Sequence, residues 1–153
     1  MRNSQPNMRT SYLRMLTNMK RLLIFLAAFC MTVGCAAQRI QNSNHSTLAR
    51  IDADGTVRNS TSSVVGRIGS NGEIRDSNSH LLGKIERNGD IRDSNHHLLG
   101  KVESDGTVRN RNNSVMGRVD SNGTVRDSNN HVIGYAQGVP VAHAAVYFFF
   151  NFF

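Results

Sequence analysis

Residues 84–100 read KIERNGDIRDSNHHLLG, and residues 67–83 just before them read RIGSNGEIRDSNSHLLG. This 17-residue pattern occurs five times without a gap, and a half copy over residues 39–49 precedes the first full copy. The full copies span residues 50–66, 67–83, 84–100, 101–117 and 118–134. A short unit repeated at a fixed period indicates that neighbouring copies share one core, because a single unit cannot bury its own apolar face.

Each copy predicts a β-hairpin. In copy 84–100, the pair Asn88-Gly89 is the strongest short-range hairpin signal, because glycine readily takes the positive φ that such a turn requires. A three-residue loop over 87–89 places Ile85 opposite Ile91, so that both side chains point to one face. The predicted structural turn glycines are Gly55, Gly72, Gly89, Gly106 and Gly123. A second corner follows at each Asp/Asn-Ser-Asn stretch, where side-chain oxygens bond to nearby backbone amides.

The apolar positions of the copies predict a shared core. Each copy supplies about four aliphatic side chains, which in copy 84–100 are Ile85, Ile91, Leu98 and Leu99. At roughly 1.5–3 kcal/mol per fully buried aliphatic side chain, five copies can offset the entropic cost of ordering and one copy cannot. We therefore predict an all-β fold of five tandem hairpin repeats. The array either closes into a ring, which leaves no exposed edge strand, or runs open as a β-solenoid.

Residues 135–153, YAQGVPVAHAAVYFFFNFF, depart from the repeat. They begin like a sixth copy but lack the Asx-Gly pair, and five of the last six residues are Phe, with Asn151 as the interruption. The aromatic run favours a closing strand that caps the repeat core. An exposed, adhesive or membrane-touching end is the alternative. No stretch outside residues 1–37 has the apolar spacing of a helix, so we predict no helix there.

Residues 1–37 have the layout of a secretory signal peptide, with Met19 as an alternative start. Lys20 and Arg21 precede an apolar run over 22–33, which is shorter than the roughly 20 residues that a membrane-spanning helix needs. The sequence TVGC ending at Cys35 is a permissive lipobox, so acylation of Cys35 is one expectation. Cleavage before Gln38, which would release a soluble protein, is the other. The predicted location is therefore the periplasm, the outer membrane as a lipoprotein, or the exterior.

The basic balance of the chain belongs to this export segment. Of the eighteen Lys and Arg residues, five lie before Gln38. Residues 38–153 contain the other thirteen and all eleven acids, so their net charge is about +2. That balance argues against a nucleic-acid partner, which requires a basic stripe. Cys30 and Cys35 also precede Gln38, so the repeats contain no disulfide, no cysteine-based zinc site and no thiol nucleophile.

Several repeated polar positions could bind a ligand. Arginines occupy one row, at Arg58, Arg75, Arg92, Arg109 and Arg126, and a ring of guanidinium groups could hold an anion. Cross-strand ion pairs are the structural alternative for this row. His80, His97 and His131 share another position, but Ser replaces them in other copies, so we predict no metal site and no cofactor. A catalytic residue needs one asymmetric constellation, which five equivalent copies do not provide.

The five copies, the GYAQGV after them and the AAVYFFF near the end resemble the five-fold β-flower proteins, a family of exported proteins of Bacteroidota-type bacteria. The resemblance covers residues 38–153 and implies a closed five-fold, flower-like arrangement of hairpin petals around an axis, with a C-terminal closing strand, and an exported location. An open β-solenoid is the alternative fold. It implies no catalytic residues. We therefore predict a non-enzymatic structural or interaction module at the bacterial cell envelope, with an envelope protein or glycan as partner. A binder of a small anionic or glycan ligand is the alternative function.

Overall fold

The computed structural model describes residues 38–153, which form twelve β-strands and one helix. The elements are β1 (Gln38–Asn42), β2 (Thr47–Ile51), β3 (Thr56–Asn59), β4 (Val64–Ile68), β5 (Glu73–Asp76), β6 (Leu81–Ile85), β7 (Asp90–Asp93), β8 (Leu98–Val102), β9 (Thr107–Asn110), β10 (Val115–Val119), β11 (Thr124–Asp127), β12 (Val132–Tyr135) and α1 (Val141–Phe149). Each strand pairs antiparallel with the next, and β1 pairs with β12, so the sheet closes. The predicted closed arrangement is confirmed, and the open solenoid is wrong.

The half copy is a full part of this ring. It supplies β1, whose Gln41 and Asn42 lie opposite Tyr135 and Gly134 of β12. Five hairpins with Asx-Gly turns therefore make ten strands, and the first and last strands of the repeat region make the remaining pair. β1 and β12 pair without a connecting turn, whereas a turn joins the two strands of every other pair. The chain therefore enters and leaves the ring between β1 and β12.

The five Asx-Gly corners, which we call glycine turns, lie at residues 52–55, 69–72, 86–89, 103–106 and 120–123. In the third, the Gly89 amide donates to the Glu86 carbonyl at 3.0 Å, and the Glu86 amide donates to the Asp90 carbonyl at 2.8 Å. Ile85 lies opposite Ile91, so the predicted three-residue loop and its register are confirmed. Gly89 has a φ of 87°, in the left-handed region.

The second corners, which we call Asx turns, lie at the opposite end of the barrel and number six. They span residues 42–46, 59–63, 76–80, 93–97, 110–114 and 127–131. In the fourth, the Asp93 amide donates to the His97 carbonyl at 3.0 Å, and His96 takes a φ of 65°. The Asp93 carboxylate accepts the amides of Asn95 and His97 at 2.9 and 2.8 Å, as expected for an Asx residue that opens a turn.

The core differs from the predicted set of four aliphatic side chains per copy. Ile91 is fully buried, as are its equivalents in the other copies, but Leu98 is 37% exposed on the outer wall. Leu99 is the extra residue of a β-bulge between β7 and β8 and is only partly buried, like Ile85. The pair Leu98-Leu99 therefore does not belong wholly to the core, because adjacent strand residues point to opposite faces.

The predicted closing strand is wrong: residues 141–149 form the helix α1. Ala142, Ala144 and Ala145 are strong helix formers, and Pro140 stands directly before the first turn. A further strand would find no partner for its backbone, because all twelve strands of the closed ring are already paired, whereas a helix satisfies its own N–H and C=O groups. Ala144, Ala145 and Val146 are fully buried in the same cluster as the inward strand residues, so α1 occupies the interior.

The terminal phenylalanines fasten this helix to the barrel. Each Phe ring packs against the closing glycine of one repeat, and the order runs backwards around the ring. The pairs are Phe148 with Gly134, Phe149 with Gly117, Phe150 with Gly100, Phe152 with Gly83 and Phe153 with Gly66. One segment can contact five strands of a ring only from inside it, so the expectation of an exposed adhesive end is wrong.

Candidate functional site

The arginine row lies on the outer wall and joins the two ends of each repeat. In the fourth copy, Arg109 Nε donates to the Glu103 carboxylate at 2.9 Å, beside the glycine turn. Its Nη1 donates at 3.1 Å to the carbonyl of Asn113, the residue of positive φ in the Asx turn. The other four arginines make the same pair of contacts, one to a carboxylate and one to a turn carbonyl.

Two departures from the repeat keep these contacts. The second copy has Gly69 where the others have Asp or Glu, and there Glu73 supplies the carboxylate, at 2.9 Å from Arg75 Nη2. The half copy has Gln41 at the arginine position, and its Nε2 donates to the carbonyl of His45 at 2.9 Å. The row thus has a structural role in every copy, which is the cross-strand alternative raised by the sequence. Anion binding by the same row stays a prediction.

The histidines at the predicted position form pairs with turn acids. His80 Nδ1 lies 2.9 Å from Asp76 Oδ2, and His97 and His131 make the equivalent contacts at 3.1 and 3.3 Å with Asp93 and Asp127. The three other Asx turns combine Asn with Ser at the same two positions. Within residues 38–153, no group of three or more His, Cys, Asp or Glu side chains is placed to hold a metal ion.

Hydrogen bonds lower the pKa of three turn carboxylates, Asp54, Asp105 and Asp127. The Thr56 amide and hydroxyl bind the Asp54 carboxylate and hold its pKa below the usual value, and Thr107 does the same for Asp105. The amide of His131 lowers the pKa of Asp127 in the Asx turn. These acids stabilise their own turns, so none of them has the raised pKa of a general acid.

A cleft of about 310 Å³ opens at the glycine-turn end, beside the start of α1. Ile51, Ile68 and Ile85 form its apolar wall, and His143 of α1 lines it as well. Nδ1 of His143 is buried without a hydrogen-bond partner, and burial lowers the pKa of the imidazole. The ring is therefore held neutral.

A second cleft, of about 300 Å³, opens at the Asx-turn end beside turn 110–114. The rings of Phe149 and Phe150 line it together with Leu99 and Met116. Its polar side chains are Asn110, Arg111, Asn112 and Asn151. Sequence reasoning missed this site, although two signals pointed to it: Arg111 stands where the five other Asx turns have Ser, and Asn151 interrupts the Phe run.

A band of aliphatic side chains, which we call the aliphatic band, runs along the outer wall next to the Asx turns, from β4 to β10. It consists of Val64, Leu81, Leu98 and Val115, with exposed fractions of 43%, 36%, 37% and 44%. Each lies directly opposite an arginine of the row, as Leu98 does opposite Arg92. Large aliphatic side chains repeated on an outer wall are typical of an interaction surface.

The twelve-strand ring with glycine turns has a counterpart among known families. The family described as "5-fold beta-flower protein" matches residues 37–152, which is three quarters of the chain. The chain belongs to this family. The β-flower fold is a small repeat fold that is not known as an enzyme fold, and no curated protein matches the chain. The origin in Bacteroidota-type bacteria stays a prediction.

Two predictions concern residues outside the described part of this β-flower protein. The signal peptide over 1–37 and the acylation of Cys35 both fall before Gln38, where the description begins. In residues 38–153, α1 has neither the length nor the apolar run that a membrane-spanning helix needs.

Proposed function

We propose that this β-flower protein is an exported, non-catalytic interaction module of the bacterial cell envelope, and that the aliphatic band contacts an envelope protein. The band carries the proposal. Its four side chains are exposed and do not belong to the core cluster. Packing of the barrel wall against α1 therefore does not require aliphatic residues at these positions. The neighbouring arginines are already paired with acids, which leaves the aliphatic groups as the main contribution to a contact on this wall.

The chain path supports the orientation that this function needs. Gln38 lies opposite Ile51, the residue directly before the first glycine turn, so β1 starts at the glycine-turn end. Cys35 stands three residues earlier, and three residues of any chain span at most about 10 Å. An acylated Cys35 would thus tether the glycine-turn end to the membrane and direct the aliphatic band away from it.

Site-specific photo-crosslinking in intact cells tests this proposal. A photoreactive amino acid in place of Leu98 should yield one defined adduct with an envelope protein, and Leu81→Ser should abolish that adduct by weakening the neighbouring part of the band. The same photoreactive group in place of Asn88, in a glycine turn, is the matched control and should yield none. Equal labelling from both positions, or retention of the protein in the cytoplasm, would contradict the proposal.

A second candidate function is the binding of a small anionic or glycan ligand, and the cleft beside turn 110–114 favours it. This cleft joins an arginine to three asparagines and two phenylalanines. Thermal unfolding in a panel of acidic sugars, neutral sugars and phosphate tests the function as a whole, because a ligand that binds only the native state raises the melting temperature. No shift with any member of the panel would contradict it.

A further inference from the structure

Two independent breaks in the sequence pattern meet in the cleft beside turn 110–114. Arg111 replaces the Ser of the five other Asx turns, and Asn151 interrupts a run of phenylalanines that each contact one repeat. The two positions are forty residues apart in the chain, yet both side chains line the same cleft. The other turns fold with Ser in place of Arg111, so the arginine is not needed for the turn. Asn151 takes a φ of 47°, a conformation that asparagine tolerates, and its side chain is exposed.

The charge of turn 110–114 also differs from that of the other copies. Turns 76–80, 93–97 and 127–131 begin with Asp, whereas this turn begins with Asn110 and adds Arg111. Among residues 38–153, Arg111 forms no ion pair within 4.0 Å, in contrast to the five paired arginines of the row. The turn therefore presents an arginine whose charge is not neutralised by its own repeat.

The asparagines of the cleft have hydrogen-bonding capacity to offer. Asn110 Oδ1 accepts the amides of Asn112 and Ser114 at 2.9 and 3.0 Å, which leaves the Nδ2 donors of Asn110 without a bond in the described part of the chain. The side-chain amides of Asn112 and Asn151 likewise form no hydrogen bond with residues 38–153. Each amide carries both donors and an acceptor, which suits hydroxyl groups that do both.

The apolar wall of the cleft adds a third kind of contact. Phe149 and Phe150 provide ring surface, and Leu99 and Met116 extend it. A volume of about 300 Å³ is at the lower end of the range for small-molecule sites and matches a single sugar ring rather than a long chain. The C–H face of a sugar ring can lie against such a wall while its hydroxyl groups meet the asparagines.

We propose that this cleft binds a sugar acid, a pyranose that carries a carboxylate. The carboxylate pairs with Arg111, whose planar guanidinium suits bidentate contact. The hydroxyl groups bond with Asn110, Asn112 and Asn151, and the apolar ring face lies against Phe149 and Phe150. The inference rests on the second candidate function and names its ligand class and its site. Three clefts that residues 38–153 form at the glycine-turn end differ from this one in two respects: none of the three is lined by a phenylalanine, and the two that contain Arg87 also contain the acid Glu86.

Titration of the purified protein with glucuronate, followed by NMR, tests the proposal, with glucose and acetate as the two partial ligands. Glucuronate should bind at least about tenfold more tightly than either, since loss of a charge-assisted hydrogen bond or of the ring contacts each costs about this factor. Arg111→Ser, which installs the residue of the other five turns, should weaken glucuronate about tenfold or more and leave glucose unchanged. Asn151→Gly, which keeps the positive φ and removes the side-chain amide, should weaken binding of both sugars by about fivefold.

Arg87→Ser is the matched control. It removes the same charge at the glycine-turn end and installs the residue that three other copies have there, so it should leave glucuronate binding unchanged. Equal weakening by Arg87→Ser and Arg111→Ser would overturn the proposal in favour of non-specific attraction. Unchanged glucuronate binding in Arg111→Ser would overturn this site but leave the ligand-binding function standing, whereas no saturable binding of any sugar or anion would end both.

Discussion

The two ends of the barrel share one corner geometry but set different limits on sequence. In a glycine turn and in an Asx turn, a three-residue loop closes with a residue of positive φ, at 87° for Gly89 and 65° for His96. All five glycine turns have Gly at this position, whereas the Asx turns have His, Ser or Asn. The difference lies outside the turn itself. A Cβ atom at Gly89 would collide with the carbonyl of Val102 in the next repeat, and His96 projects into solvent.

The glycine turn is thus also the contact between neighbouring repeats. The carbonyl of Gly89 accepts the amide of Val102 at 2.9 Å, and the same bond links each glycine turn to the following copy. Space and conformation both exclude a side chain at this position. The Asx turns carry no such contact, which leaves that end of the barrel free to vary, and Arg111 is one result.

Gly89→Ala should give the largest loss that a single methyl group can cause here, about 3 kcal/mol of unfolding free energy, because left-handed strain adds to the collision with Val102. His96→Gly, at the matching position of the Asx turn, should be neutral or slightly stabilising. Urea unfolding of both variants measures the difference. A loss in Gly89→Ala no larger than the gain in His96→Gly would show that the turn conformation alone, and not the contact between repeats, requires the glycine.

Gly100→Ala should cost about 2 kcal/mol, because a Cβ there lies 2.8 Å from Phe150 Cε1 and also meets the carbonyl of Arg109. In a Phe150→Ala background, Gly100→Ala should cost less than it does in the wild-type protein, because one of the two groups that the new Cβ would meet is gone. The double-mutant cycle therefore predicts non-additive losses in urea unfolding. Additive losses would mean that the Phe ring does not press on the closing glycine.

Arg109→Ala should cost about 1 kcal/mol, because it removes a half-exposed ion pair and a bond to a turn carbonyl. Arg109→Gln should cost less than half of that, since the half copy uses Gln41 for the same carbonyl contact. Thermal unfolding at low and high salt separates the two contributions, as only the ion pair is screened. Equal losses for Ala and Gln would contradict the carbonyl contact.

The buried His143 at the glycine-turn end should make the stability of the protein slightly dependent on pH. Burial lowers its pKa below the ordinary value of 6.5, so the folded state favours the neutral ring. The unfolded chain then binds more protons, and this stabilisation is complete above pH 6.5 and declines as the pH falls toward the folded pKa. His143→Gln should flatten the dependence of the melting temperature between about pH 7 and 5. A steeper dependence in His143→Gln would reverse the assignment.

The repeats could be read from the sequence to the level of register, because the positions of Asn88, Gly89 and the two isoleucines leave one loop that buries both side chains on one face. The exposure of Leu98 could not, because a bulge at Leu99 changes which face each residue of the pair meets. Each copy has the same bulge, so the bulges do not alter the repeat length of 17 residues and cannot be recognised from it.

The helix was missed for a different reason. The last residues are aromatic and favour strands, but closure of the ring removed every free strand edge, and only the closed fold reveals that loss. The alanines at 142, 144 and 145 were the signal in the sequence. For the cleft beside Arg111, the sequence marked Arg111 and Asn151 as departures from the pattern but not that they meet, because the turn and the C-terminal segment come together only once α1 lies inside the barrel.

The central claim is that a 17-residue unit has no shape without its neighbours, and a fragment of residues 84–117 tests it most directly. This fragment holds two complete copies but neither the ring nor α1. Circular dichroism during heating should show no cooperative transition for the fragment, whereas residues 38–153 should unfold in a single transition. A fragment that keeps β-structure and melts cooperatively would contradict the account.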